Sequence, residues 1–587
     1  MSISTVLFSL ALVGCGSSSE SSEEQTVQSD LVSLRVEPAE ITLETDGTDP
    51  GVVSFIAYAT TDSGEEVETD MVSWSVSNLS AGDVDSAGRF ESSTLNGGVT
   101  TVTATHIGIE ATATVTIIYK QDVAFGELSG DIVEAFDAAT STPGDYPVIH
   151  YPHDGVTVPR NLNGLAFGWE PAPDSNVVRL RLQSGITDMR VHTTFDEWQT
   201  TADTWATIAA SNTEGKVQIS IDSGIWDGTS LTSVSSGPGM EMTVNRLDAR
   251  GSVLYWEPDP SAGGGMGAGS IMRIPFGSLE AEPFWTADDL GTTSGDGSNC
   301  MGCHSLSEAN DQMIITHNGV NGQFSIVDIS DPTLPQMEVL KPGRATFHSA
   351  SPDGRFLVGV NEGQASLYSL MDGGEIRTVN TNGLVTHPDW APDGDSVVFV
   401  RYTSEFGTDH DLEFESGEII QMEWNGDDFG PPEVLVPAES NRNNYYPAYS
   451  PDGDYIVFNR ASPRTWTLPN GSVKENSTSS YAHPAAELWL MTRDGEHLTR
   501  LDAANADGDL QNSYPKWGPL PDDDVLWLAF SSKRSYSIDP NGGTPQVWVS
   551  AIDPAKILND EDPSSTAFWL PAQNTFTDNH ASIWWSK

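Results

Sequence analysis

Cys300-Met301-Gly302-Cys303-His304 is the stretch whose residue types and spacing point most directly to chemistry. Two thiols three positions apart can each add to one vinyl group of a porphyrin, and the next imidazole then reaches the iron from the same side. The pattern predicts one covalent haem c, with thioethers at Cys300 and Cys303 and His304 as proximal iron ligand. A zinc site needs about four ligands, and no second cysteine pair or nearby histidine pair supplies the others. A redox disulfide stays open as the alternative, without the βαβ context that such pairs have in thioredoxin-like proteins.

The third and last cysteine is Cys15. An apolar run from Val6 to Val13 ends in Leu12-Val13-Gly14-Cys15 and passes into a Ser/Glu tract. The segment resembles a bacterial lipoprotein signal with its lipobox. That resemblance implies a signal peptide over 1–14, a lipidated Cys15 and a disordered tether over 15–30. It implies export to the outer membrane, on the periplasmic or cell-surface face, and Gly16 is compatible with that sorting. The departure from the pattern is that no Lys or Arg precedes the apolar run. No later segment reaches the roughly 18 apolar residues of a transmembrane helix, so contact with the membrane is expected through the lipid alone.

With 84 acidic against 27 basic residues the formal charge is −57, which excludes electrostatic binding to nucleic acid. Such a surface keeps a chain soluble and suits a basic partner. The 54 glycines and 35 prolines favour short strands and tight turns, and 587 residues require several domains, so an all-β chain is expected.

From Leu31 to about residue 120, apolar and polar residues alternate between regularly spaced turns. Trp74-Ser75-Val76-Ser77-Asn78 and Val84-Asp85-Ser86-Ala87-Gly88 carry a resemblance to group 2 bacterial immunoglobulin-like domains, which implies a spacer or adhesive β-sandwich. After a linker over 121–145, residues 146–245 read as a second sandwich with Trp169 in its core. His150 and His153 stand at its entry, spaced i and i+3, more in keeping with packing than with metal binding.

The remainder, 246–587, repeats. FHSASPDGRFLVGV at 347, HPDWAPDGDSVVFV at 387 and YPAYSPDGDYIVFN at 446 share one frame, and SYPKWGPLPDDDVLWLAF at 513 follows it loosely. Each Pro-Asp-Gly predicts a tight turn between two strands, and about four strands per copy make a propeller blade. The copies resemble those of TolB-like propellers, which implies about six blades, with seven as the alternative. CHSLSEANDQMIIT fits the frame, so the haem motif is expected to open a blade. The last strand, Asn579 to Trp584, is expected to close the ring with VLYWEPD and SIMRIPFG.

In that alignment His304, His348, His387, Tyr446, Tyr514 and His580 are equivalent and ring the central funnel. The distal iron ligand is then sought among His580, His387 and His348, with Met313 and His317 as local options and His580 favoured. The acidic loop Asp502 to Asp509, with Asn505 and Asp507, could bind calcium but lacks the full spacing of a calcium loop. Three functions follow: electron transfer or redox sensing with a partner protein or small carrier; a haem-dependent oxidoreductase or peroxidase-like enzyme; and, by resemblance, a protein-docking propeller.

Overall fold

A computed structural model describes residues 31–587 apart from 127, 129–130, 163, 214, 260–268, 287–300, 318–321, 332–335, 338–342, 406–410, 469–470, 521–524, 537–542 and 560. Cys15, the signal and tether, and Cys300 lie outside the described residues. The chain divides into two compact units.

The first unit, up to Ile41 with Val52–Glu91 and Thr100–Val115, is a β-sandwich. Strand Ile56–Thr61 lies between Leu31–Glu37 and Glu66–Thr69, while Val52–Ser54 pairs with Arg89–Ser92. Alternation buries Phe90, Val102, Ala104 and Val115 completely. Gly88, at φ 78°, accepts the Phe55 N–H at 2.8 Å, closing the turn beside Trp74.

The second unit holds a second sandwich and the propeller. In the sandwich, Val177–Gln183 is flanked by Thr187–Thr193 and Lys216–Trp226, and Trp169 is buried in a small facing sheet. Two helices depart from the expected all-strand text. Asp131–Ala138, inside the expected linker, buries Ile132 and Phe136, and its Asp137 bridges Arg179 and Arg190 at 2.9 Å each. Ala202–Ser211 is capped by the Thr201 hydroxyl, which accepts the Thr204 N–H at 3.2 Å. Its Trp205, Ile208 and Ala209 have the i, i+3, i+4 spacing of a helix face.

Six four-stranded antiparallel sheets follow. The innermost strands of blades two to six are Met301–Ser307, Phe347–Ala350, Leu384–Trp390, Asn443–Tyr449 and Ser513–Trp517. Blade one is completed from both ends of the propeller segment: His580–Trp585 is its innermost strand and pairs with Ser252–Pro258. Each innermost strand touches the next, and the last touches the first, so the ring closes and leaves no open fan edge. Six blades are present among the described residues, and Cys303 and His304 lie in the innermost strand of the second.

The Pro-Asp-Gly segments make the expected turns. Gly354, Gly394 and Gly453 adopt φ of 69°, 80° and 81° and donate to Ser351, Ala391 and Ser450 carbonyls at 2.9 Å. Apolar faces pack between blades; Met313 is fully buried against Leu254, Ile271 and Trp585. The second sandwich is fastened to blade six, where Trp569 N–H donates to the Tyr151 hydroxyl at 3.0 Å and the His153 ring lies 6.0 Å from Trp548.

Candidate functional site

All six innermost strands contribute to a central cavity of about 230 Å³, whose lining includes Cys303, His304, His348, His387, Tyr446 and Tyr514. Side chains on a regular strand alternate faces, so Cys303 and His304 would point apart. The register of Met301–Ser307 against Gln312–His317 shifts between Met301 and His304, and both Cys303 and His304 line the cavity.

Similar shifts fall between Thr386 and Asp389, Tyr445 and Ala448, and Ser513 and Lys516. At these bulges His387, Tyr446 and Tyr514 take φ of 47°, 51° and 55°, the left-handed region that bulky side chains avoid. Each precedes a proline that also lines the cavity. In the closing strand the left-handed residue is Ala581, at φ 52°, and Ala581 rather than His580 lines the cavity. The equivalence expected for His580 is therefore off by one residue: Ala581 holds the left-handed position that His387, Tyr446 and Tyr514 hold in their strands. His348 also differs: its strand Phe347–Ala350 pairs without a shift.

Hydrogen bonds assign the histidines different chemistry. Thr316 Oγ1 donates to the Ala345 carbonyl at 2.7 Å and so accepts from His348 Nε2 at 3.2 Å; Nδ1 of His348 then accepts from the Ser305 hydroxyl at 2.6 Å. Burial and the neighbouring His304 hold His348 down to about 3, so it is neutral. His387 Nδ1 accepts the Tyr446 N–H at 3.3 Å, which puts its proton on Nε2. Burial, followed by nearby Lys516, lowers the His387 pKa well below the usual histidine value. His580 has the opposite tautomer: Nδ1–H donates to the Asp578 carbonyl at 2.9 Å, leaving the Nε2 lone pair available. Its ring lies 4.9 Å from Trp256 and 5.7 Å from Tyr514, between centroids.

Met313 faces the core between blades one and two, not the cavity. His317 meets the Ser325 hydroxyl at 2.6 Å. In the acidic loop, Asp502 pairs with Arg500 and Asn505 bonds to the Leu488 backbone, so these side chains face different partners. His150 Nε2 lies 3.5 Å from a Glu170 carboxylate oxygen. Among the described residues no group of three His, Cys, Asp or Glu converges as a metal site.

Sequence reasoning missed the salt bridge of Lys516 to Asp389, 2.8 Å long, and Ser582, both in the cavity lining. The signal for the bulges was present as the dipeptides His387-Pro388, Tyr446-Pro447 and Tyr514-Pro515.

No family model matches the chain, and no curated protein does. Among solved structures, TolB of Acinetobacter baumannii is similar with 11% identity over 63% of this chain and 79% of that one, at a TM-score of 0.36. A candidate TolB of Agrobacterium tumefaciens shares 17% identity over 58% and 99%, at 0.31. Hydrazine synthase of Kuenenia stuttgartiensis shares 14% over 49% and 72%, at 0.31. The propeller assignment rests on strand order and closure in this chain.

Proposed function

We propose that the chain is an exported c-type haem protein acting in electron transfer, with the haem attached at the funnel of the propeller. The observation that carries this reading is that Cys303 and His304, in the bulged innermost strand of the second blade, both line the central cavity. A haem bound there would supply a one-electron ferrous/ferric couple. Cys303 would hold its edge by a thioether, with Cys300 assigned the second by spacing alone, and His304 would bind the iron.

For the distal ligand the tautomers favour His580, which stands outside the cavity lining itself but has its ring 5.7 Å from that of the lining residue Tyr514. Its Nδ1–H is committed to a carbonyl, the arrangement metal-binding histidines use to present Nε2. His348 has both nitrogens engaged, and His387 keeps its proton on Nε2. With His304 and His580 both bound, a haem iron would have no open position, which would favour outer-sphere electron transfer over catalysis. The lipobox text at Cys15 supports export and a lipid anchor.

Absorption spectra of both redox states test this function. A six-coordinate, low-spin iron indifferent to carbon monoxide supports it. A high-spin iron that binds carbon monoxide points to the oxidoreductase or peroxidase-like reading, and partner binding that survives His304→Ala points to a docking propeller.

A further inference from the structure

Among the described residues, His387 and Ser582 each bring a buried donor without an acceptor to the funnel. Nε2 of His387, 4% exposed, and Oγ of Ser582, 1% exposed, have no hydrogen-bond partner, and both residues line the central cavity. Buried polar groups are ordinarily satisfied, and those left over call for a ligand, a water or a functional role. The same cavity is ringed by the left-handed residues His387, Tyr446, Tyr514 and Ala581. Strain of this kind clusters at binding and catalytic sites.

We propose that the funnel is a carboxylate-binding site, with His387 Nε2–H on blade four and Ser582 Oγ–H on blade one as donors in the same lining as the Asp389-paired Lys516. The donors set the ligand class. His387 can only donate from Nε2, because the Tyr446 amide occupies Nδ1. Each oxygen of Asp389 already has a donor: one takes Lys516 Nζ at 2.8 Å and the other the Tyr449 N–H at 2.9 Å. Phe347 and Ile583 also line the cavity and suit an apolar remainder.

Two sources share this chemistry: a free aromatic carboxylate and a propionate of the attached haem. The second rests on the haem reading above. It has a physical advantage, since a net charge of −57 disfavours free anions whereas a covalently tethered carboxylate arrives at high effective concentration.

Equilibrium dialysis of labelled benzoate against the full chain decides the matter, with benzyl alcohol as neutral control. The chain is made in hosts with and without the machinery for attaching haem c, and a haemochrome assay scores its haem content. The haem-free chain should take up benzoate at least about tenfold more tightly than benzyl alcohol. His387→Leu and Ser582→Ala should each weaken uptake by about tenfold, the order expected for losing a hydrogen bond to a charged group. Ser582→Ala removes only an unbonded hydroxyl, so its unfolding temperature should match that of the parent chain.

Uptake by the haem-free chain alone identifies the propionate as occupant, and equal uptake by both forms identifies a free carboxylate. No uptake by the haem-free chain, or uptake unchanged in both variants, overturns the proposal. If the matured preparation holds no haem, the haem reading fails, and the benzoate result still decides the site.

Discussion

The Tyr446 backbone N–H donates to Nδ1 of His387 across 3.3 Å, so one blade fixes the tautomer of a histidine on the preceding blade. The bond joins two residues that share the same left-handed backbone, and their rings lie 4.0 Å apart. The bulge that strains each residue thereby also brings them into register.

Nitrogen-15 spectra of the imidazoles should find Nε2 of His387 protonated and Nδ1 bare. Because burial and Lys516 both disfavour its cation, His387 should stay neutral while exposed histidines titrate. A His387 signal that moves together with those of exposed histidines would contradict this assignment.

Gly251 tests the closing seam. A Cβ there would lie 1.9 Å from the Trp585 carbonyl, and its φ of 76° disfavours any side chain. Gly251→Ala should destabilise the propeller by more than about 2 kcal/mol, measured by denaturant unfolding. A variant as stable as the parent would mean that the terminal strand does not close blade one.

Ala581→Gly should act in the opposite direction. Glycine takes φ near 52° at no steric cost, whereas alanine does not. The change should raise stability by about 0.5–1 kcal/mol in the same measurement, and a loss would show that the left-handed backbone is not present.

Acid should destabilise the fold through its buried histidines. His483 bonds the Ala485 N–H at 3.1 Å and the Ser477 carbonyl at 3.2 Å, and burial holds it down to about 4. Below the unfolded value of about 6.5 the unfolded chain takes up a proton that the folded chain refuses. Stability is therefore complete above about 6.5 and falls until the pH reaches about 4, by an order of 3 kcal/mol from this residue. His483→Gln should make the pH dependence shallower over that window; an unchanged slope would assign the loss to other groups.

The blade frame was legible because Pro-Asp-Gly turns and alternating apolar strands are local signals, and closure followed from counting strands. The helix carrying Trp205 was not read, since its short apolar face sits among residues that also suit strands. At the site, placing Cys303 and His304 in a blade required only the repeat. Ranking His580, His387 and His348 required their partners, Asp578, Tyr446 and Thr316, of which Thr316 is 32 residues from His348 and Tyr446 59 from His387. Such tautomers depend on contacts between strands and have no signature in the chain's text.

The most direct test of the central claim is an intact mass and pyridine haemochrome spectrum of the full chain matured in a host that attaches haem c. The account predicts a mass raised by one haem and the spectrum of a haem with two thioether links, both lost in Cys300→Ala/Cys303→Ala. A chain without added mass, with Cys300 and Cys303 recovered as thiols or as a disulfide, would contradict it.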